Sequence, residues 1–254
     1  DYDLERQFSK GSSAAGFGLS EGNREQHSLP SGTQDAGADI DAAAFKEVGY
    51  TLDVFGQKTY NGVATILRDP LTFLPDEEVR NIPGFEDPQS RLLATTVQVG
   101  SEKLRVINGY FPNGETVESE KFPYKLAWLE ALVQWLPSQL EEYPNLVLLG
   151  DFNIAPEDRD VWDPESWAES VLCTPKAREA FQRLIDLGLT DSFRAFEQPE
   201  KSYSWWDYHM MAFRRNRGLR IDHILISEAL ASKNLGVEIH KKSEAMNARV
   251  ITRP

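Results

Sequence analysis

Asp151 and Asn153 stand two residues apart where an apolar run stops, in the stretch NLVLLGDFNIAP. If that run is a strand, alternation places both side chains on one face at its end. A carboxylate and an amide so placed can hold a hard cation or orient a water. The plainer reading is an Asx turn that ends the strand and caps the next segment. Asp222 lies inside a second apolar run, LRIDHILIS, where a carboxylate is costly unless it is paired. Arg220 or Arg217 would serve as its partner. His223 is expected to pack or hydrogen-bond rather than ligate, since no second histidine lies at metal-binding spacing. Tyr110 closes INGYF just ahead of Pro112-Asn113-Gly114. Its phenol could steady a phosphate oxygen, or it could simply plug a sheet edge.

Two further stretches could grip phosphate. GQKTYNGVA offers Lys58, Thr59, Tyr60, Asn61 and Gly62 in a tight turn, which is also what an ordinary hairpin would look like. YSWWDYHMMAFRRNRGLRID interleaves rings with Arg214, Arg215, Arg217 and Arg220. Rings stack on or wedge between bases while arginines hold phosphates. A core tryptophan pair with a solvated basic loop reads equally well. Both are expected in part, with Trp205 or Trp206 buried and Phe213 to Arg217 exposed. The formal net charge of −13 argues against nucleic acid taken alone. Charge distribution matters more than its sum, and acid concentrated in LEEY and LPDEEV leaves room for a basic cleft.

The elements that must position these residues are legible from pattern. Short β-rich runs (YTLDVF, NGVATIL, RLLATTVQV, KLRVINGYF, NLVLLGD) are bounded by Gly56, Asp69-Pro70, Gly100 and Pro112-Asn113-Gly114. FPYKLAWLEALVQWLPSQLEEY and TPKAREAFQRLIDLGL repeat apolar residues at three and four, as helices do. Such an order predicts two β-sheets packed face to face with helices outside. At 254 residues the chain suits one large domain or two small ones and is long enough for a sizeable core. One cysteine, Cys173, excludes an intramolecular disulfide, and no apolar run approaches a membrane span. A chain opening on Asp1 rather than Met is expected to be a fragment or a processed form. Residues 1–40, rich in Gly, Ser, Ala and Gln, show no sustained period, and KKSEAMNARVITRP carries little pattern.

In order and spacing, GQKTYNGVA, NGYFPNG, LLGDFNIAP, DSFR, SWWDY and NRGLRIDHIL resemble the bacterial exonuclease III family of abasic-site endonucleases, within the endonuclease/exonuclease/phosphatase superfamily. The resemblance runs from about Ala44 to about Ile239 and is highly specific. It implies a four-layered α/β sandwich with terminal strands missing or disrupted, dependence on Mg²⁺ (Mn²⁺ as a substitute), and hydrolysis of DNA phosphodiesters. By motif match, Asp151 resembles the residue that orients the attacking water, and Asn153 an oxyanion stabiliser near the metal, with both as metal-site residues. Tyr110 resembles the phosphate-contacting phenol and Asp222 the acid that supports the site. Asn216 resembles the amide on the scissile phosphate, and Phe213 stands where the family inserts an aromatic at the lesion. Lys58, Tyr60, Asn61, Arg214 and Arg217 complete the DNA-binding set. The implied partner is double-stranded DNA, especially abasic sites and 3′ ends, bound by a monomer in the bacterial cytosol.

Three motifs of that family are absent: an early TWNVNS-like strand, a CLQE-x-K-like strand whose glutamate binds the metal, and a final SDHAP. PSGTQDAGADID stands where the glutamate belongs, with Gly32 nearest its position. Reading one nucleotide out of frame supplies all three. DLERQF from Asp3, back-translated as GAC-TTG-GAA-CGT-CAA-TTC and followed by the A of an AGT serine codon, yields TWNVNS when the first base is dropped. SLPSGTQ from Ser28 permits VCLQELK in the same displacement, and NARVITRP from Asn247 permits ERPSDHAP in the other. The expectation is a nuclease domain over residues 41–242 between two out-of-frame ends, 1–40 and 243–254, which should be poorly ordered or unpaired. The alternative is lineage-specific tails. Loss of one electrostatic partner of this kind costs on the order of 10²–10³ in rate. A catalytically impaired DNA-binding remnant therefore stands beside the active nuclease as a reading. A sibling phosphatase acting on small phosphoesters is a third, disfavoured by the basic aromatic loop.

Overall fold

The computed structural model describes residues 13–16, 42–57, 61–241 and 248–253. The first half contains β1 (Ser13–Gly16), α1 (Ala42–Glu47), β2 (Tyr50–Gly56), β3 (Gly62–Arg68), β4 (Thr72–Phe73) and β5 (Val79–Arg80). β6 (Leu92–Val99), β7 (Glu102–Tyr110), α2 (Lys121–Glu142) and β8 (Leu146–Asp151) come next. Then come α3 (Pro164–Trp167), α4 (Pro175–Asp186), β9 (Leu189–Asp191), β10 (Trp205–Trp206) and β11 (Gly218–Leu219). β12 (Asp222–Ser227), α5 (Glu228–Ala231), β13 (Gly236–Lys241) and β14 (Ala248–Arg253) close the chain.

The main sheet has the order β4-β6-β7-β8-β12-β9, with β5 also on β6. All its pairs are antiparallel except β7 with β8. A parallel pair needs a long crossover, and α2 supplies it. The runs are continuously apolar because both faces of this sheet are covered. Leu92, Ala94, Ile107, Leu146, Leu148 and Leu225 meet Trp128, Leu129, Leu132 and Leu136 of α2 and Phe181 and Leu184 of α4. Each leucine, isoleucine or phenylalanine among them, fully buried, contributes roughly 1.5–3 kcal/mol. α4 starts cleanly: Pro175 occupies its first turn and Thr174 Oγ1 accepts from the Ala177 amide at 3.3 Å.

The alternate residues Val97, Leu104, Val106, Val147, Ile224 and Ile226 face the other way, onto Leu67 of β3. There a second sheet, β1-β3-β2, lies against β6 and β7. Outside it, Phe45 of α1 packs on Ala64 with Leu52, Val54 and Ile66. The layers run helix, sheet, sheet, helix, which is the four-layered α/β sandwich the sequence predicts.

The ends depart from expectation. Ser13–Gly16 pairs in parallel with β3, and Ala248–Arg253 pairs along all of β13, so neither stretch is unpaired. Both pairings are at sheet edges. An edge strand offers a row of free N–H and C=O groups that any extended backbone can satisfy, whatever its side chains. The rest of 1–40 lies outside the described residues, as do Lys58 and Tyr60 of the proposed phosphate-gripping turn.

Candidate active site

Three strands converge on one row. Asp222 lies opposite Asp151 in the β12–β8 pair, and Tyr110 lies abreast of Asp151 in the β7–β8 pair. Parity gives all three the face that carries Val106, Val147 and Ile224, so they stand at the mouth between the two sheets. Asn108, two residues below Tyr110, reaches across and donates to the Ala64 carbonyl at 3.0 Å, tying the second sheet in place. Gly150 explains how β7 and β8 close here. Its φ is +133°, and a Cβ on it would lie 2.0 Å from the Gly109 carbonyl oxygen.

Strand β8 ends at Asp151, so alternation does not place Asn153; this corrects the strand-based prediction. A left-handed turn does (φ +51°), with the Asn153 amide donating to Asp151 Oδ1 at 2.9 Å. The Asx turn and the candidate site are one structure. Both ends of the Asn153 side chain are held. Nδ2 donates to the Phe111 carbonyl at 3.0 Å, and Oδ1 accepts from Asn113 Nδ2 at 2.7 Å. Among the described residues, that leaves one N–H and one lone pair to be met. Phe152, between the two polar residues, points down into the core and stacks on Phe111 at 4.1 Å. Beneath the turn lies the buried Lys125 ammonium. Burial pushes it down to about 7, while Asp151 pulls it back up.

Asp222 begins β12 with its amide, and that of Ile221, on Ser204 Oγ at 3.1 Å. Of its two expected partners, Arg217 lies over Trp162 and Arg220 is turned inward. Arg220 Nε donates to Asp160 at 2.7 Å and its Nη2 pairs with Asp191 at 2.9 Å, all but out of solvent. The guanidinium is a fork that matches two carboxylates, which a single acid could not satisfy. Arg194 joins Asp160 as well. Burial alone would raise Asp160, but the two arginines hold it below the usual carboxylate range. Arg220 Nη1 donates to His223 Nδ1 at 3.0 Å, which makes His223 Nε2 the protonated nitrogen, donating to the Ile154 carbonyl at 2.8 Å. Burial and then Arg220 push His223 down to about 4, so it is neutral. It hydrogen-bonds as predicted, and it ties β12 to the turn carrying Asn153.

Tyr110 is half-buried, with the Arg91 guanidinium 5.2 Å from its ring centre and Arg91 Nη1 donating to its carbonyl at 3.0 Å. Arg91 also donates to Gln89, which accepts from Asn61 Nδ2 at 2.7 Å. Asn61 is thereby linked to the row.

The basic aromatic loop lies between β10 and β11, which pair Trp205 with Leu219, and β11 leads through Arg220 and Ile221 to Asp222. Trp206 is buried and Trp205 half-buried. Arg214 and Arg215 are exposed, but Phe213, Asn216 and Arg217 are only half so. Phe213 sets its ring edge-on to Trp206 at 5.0 Å, Asn216 donates to the Lys201 carbonyl at 3.0 Å, and Arg217 lies 4.8 Å over Trp162. These contacts with the loop's own scaffold explain why the three are less open than their polar surroundings suggest.

Among the described residues no group of three or more His, Cys, Asp or Glu is placed to hold a metal ion. Asp151 and Asp222 offer hard oxygens in register, with Asn153 alongside. Mg²⁺ uses one or two carboxylates and completes its shell with water and phosphate oxygens. The donor chemistry therefore fits such an ion, with few protein ligands. Sequence reasoning missed Asn113, Arg91 and Lys125. Only Lys125 left a signal, a lysine on the apolar stripe formed by Phe122, Leu129, Leu132 and Leu136.

A family described as Endonuclease/Exonuclease/phosphatase matches residues 17–243. The chain is 35% identical over 218 residues to exodeoxyribonuclease III of Haemophilus influenzae, covering 82% of this chain and 78% of that one. Among solved structures it resembles the 3′ phosphatase NExo from Neisseria bound to a product DNA hairpin, with TM-score 0.77, 40% identity and coverage of 84% and 82%. It also resembles an AP endonuclease from Archaeoglobus fulgidus, with TM-score 0.75, 28% identity and coverage of 84% and 82%. Among the described residues no helix is long and apolar enough to cross a membrane. The chain belongs to the exonuclease III branch of the endonuclease/exonuclease/phosphatase family and is a phosphodiester hydrolase.

Proposed function

We propose that this DNA-repair nuclease cuts the phosphodiester 5′ to abasic sites and removes nucleotides from the 3′ ends of duplex DNA. It would act as a monomer in the bacterial cytosol. The observation that carries the reading is the cross-strand row of Tyr110, Asp151 and Asp222. Asp151 would align a water for in-line attack, with one carboxylate oxygen already fixed by the Asn153 amide. The remaining N–H of Asn153 would donate to the phosphoryl oxygen that gains charge. The Tyr110 phenol would hold a second phosphate oxygen, and Asp222 would act across the row from Asp151. Mg²⁺ or Mn²⁺, held through Asp151 and Asn153 when bound, would supply charge stabilisation at the phosphate. Asn61, Arg214, Asn216 and Arg217, with Lys58 and Tyr60, would grip the strand on either side, and Phe213 would probe the lesion.

A catalytically impaired, DNA-binding form is the second reading. It is favoured by the absence from the sequence, as written, of the CLQE-x-K-like and SDHAP motifs that the family resemblance leads one to expect. It accompanies the proposal that 41–242 is the nuclease domain and that both ends are translated out of frame. The nucleotide sequence tests that proposal: codons that do not spell the three missing motifs in the displaced frames end it. The NExo likeness also makes 3′-phosphate removal a reaction to assay.

The functional test is nicking of a duplex with one abasic site, with Mg²⁺ and with EDTA, beside an affinity measurement. A 3′-recessed and a 3′-phosphorylated duplex are run in parallel. Metal-dependent nicking that Asp151→Asn abolishes supports the nuclease. Tight binding without nicking selects the impaired form. Neither binding nor nicking refutes both.

A further inference from the structure

The fully buried Lys125 has no part in the proposed chemistry, yet it lies directly under the site. Its Nζ donates to the carbonyls of Asn153 at 2.7 Å, Val171 at 2.9 Å and Asn113 at 3.2 Å. An ammonium has three protons and no acceptor, so every donor is matched. The three carbonyls belong to three separate connections: β7 to α2, the turn after β8, and the segment between α3 and α4. Gly114, at φ +93°, gives the lysine stem room to pass; a Cβ there would lie 3.2 Å from Lys125 Cδ.

Three carbonyl oxygens converging in a dry interior repel one another unless a cation sits among them. An apolar side chain would fill the same position on α2 at lower desolvation cost. Packing therefore does not account for a lysine here. The carbonyls do, and two of them belong to the residues whose side chains bond to each other, Asn113 Nδ2 to Asn153 Oδ1 at 2.7 Å.

We infer that Lys125 is a positioning residue: it pins the Asn113 and Asn153 backbones together, so that the Asn113 amide fixes how Asn153 presents its remaining N–H to the phosphate. The inference rests on the proposed nuclease reading. Catalytic geometry is sensitive to displacements of about 1 Å, worth on the order of a hundredfold in rate. The effect should therefore appear in turnover and not in DNA affinity.

The experiment compares wild type, Lys125→Met and Asn113→Ala. Folding is followed by urea denaturation, binding by fluorescence anisotropy on an abasic duplex, and turnover by nicking. Side-chain amides of Asn113 and Asn153 are followed by ¹⁵N NMR. Lys125→Met is expected to stay folded and bind within about threefold of wild type, with kcat on the order of a hundredfold lower. Asn113→Ala, which leaves the buried lysine alone, should lower kcat by on the order of tenfold with KM unchanged. Both Asn153 amide resonances should move in each variant. Turnover within about threefold of wild type in both variants overturns the inference, as does a loss of turnover matched by an equal loss of affinity. If wild type does not nick, the nuclease reading has failed, and the NMR decides the rest: unmoved Asn153 resonances in Lys125→Met remove the clamp.

Discussion

His223 should make stability fall with acid in a window that can be calculated. In the folded chain its Nδ1 accepts from Arg220 and its Nε2 donates to Ile154, with Asp160 and Asp191 beyond Arg220. A proton on Nδ1 would break the first bond and set two cations 3.0 Å apart. Burial first, and then this neighbouring charge, bring the folded pKa to about 4 against an ordinary 6.5. Below pH 6.5 the unfolded chain takes up a proton that the folded chain refuses. The contribution of His223 is whole above pH 6.5 and is lost as pH falls toward 4. The full difference is about 3 kcal/mol, of which about 2 kcal/mol is gone by pH 5. Asp53 acts with the opposite sign, because burial beside Glu78 pushes it up to about 6. The comparison must therefore be with His223→Gln, which keeps Asp53 and removes only the imidazole. Urea midpoints at several pH values from about 7.5 to about 5 should fall more steeply for wild type than for the variant. Equal slopes would refute the reasoning, and so would a His223 ring that titrates near its ordinary value in the folded protein by NMR.

Gly150→Ala places a Cβ against the immovable Gly109 carbonyl at positive φ. It should cost roughly 3 kcal/mol or more in urea denaturation and abolish nicking by prising β7 from β8. Arg220→Met leaves the buried Asp160 with Arg194 alone and takes the guanidinium from Asp191. It should lower stability by about 3–5 kcal/mol, and Arg220→Lys should not restore it, because an ammonium cannot bridge both carboxylates as the fork does. Tyr110→Phe keeps the ring beside Arg91. It should cost no more than about 1.5 kcal/mol of stability, the worth of one hydrogen bond, while kcat/KM on abasic duplex falls on the order of ten- to a hundredfold.

The elements around the site were legible because their signals are local. VATIL, LLATTV and NLVLL are apolar runs of strand length between turn residues, and α2 repeats its core positions at three and four. Asp151 and Asp222 were visible as carboxylates ending or interrupting such runs. Nothing local says that they face each other. They lie far apart along the chain, and only the antiparallel register of β12 on β8 brings them opposite. Strand alternation does not place Asn153, because the strand ends at Asp151 and the backbone at Asn153 is left-handed. The edge pairing of β14 escaped because it satisfies backbone groups and asks little of side chains. Residue types and spacing along the chain determined the strands, the two helices and the carboxylates at their ends, since propensity and periodicity act over a few residues. Tertiary structure decided which groups share the cleft and which way Arg220 turns. It also decided what lies beneath Asn153, because register and burial are summed over contacts that no short window of sequence contains.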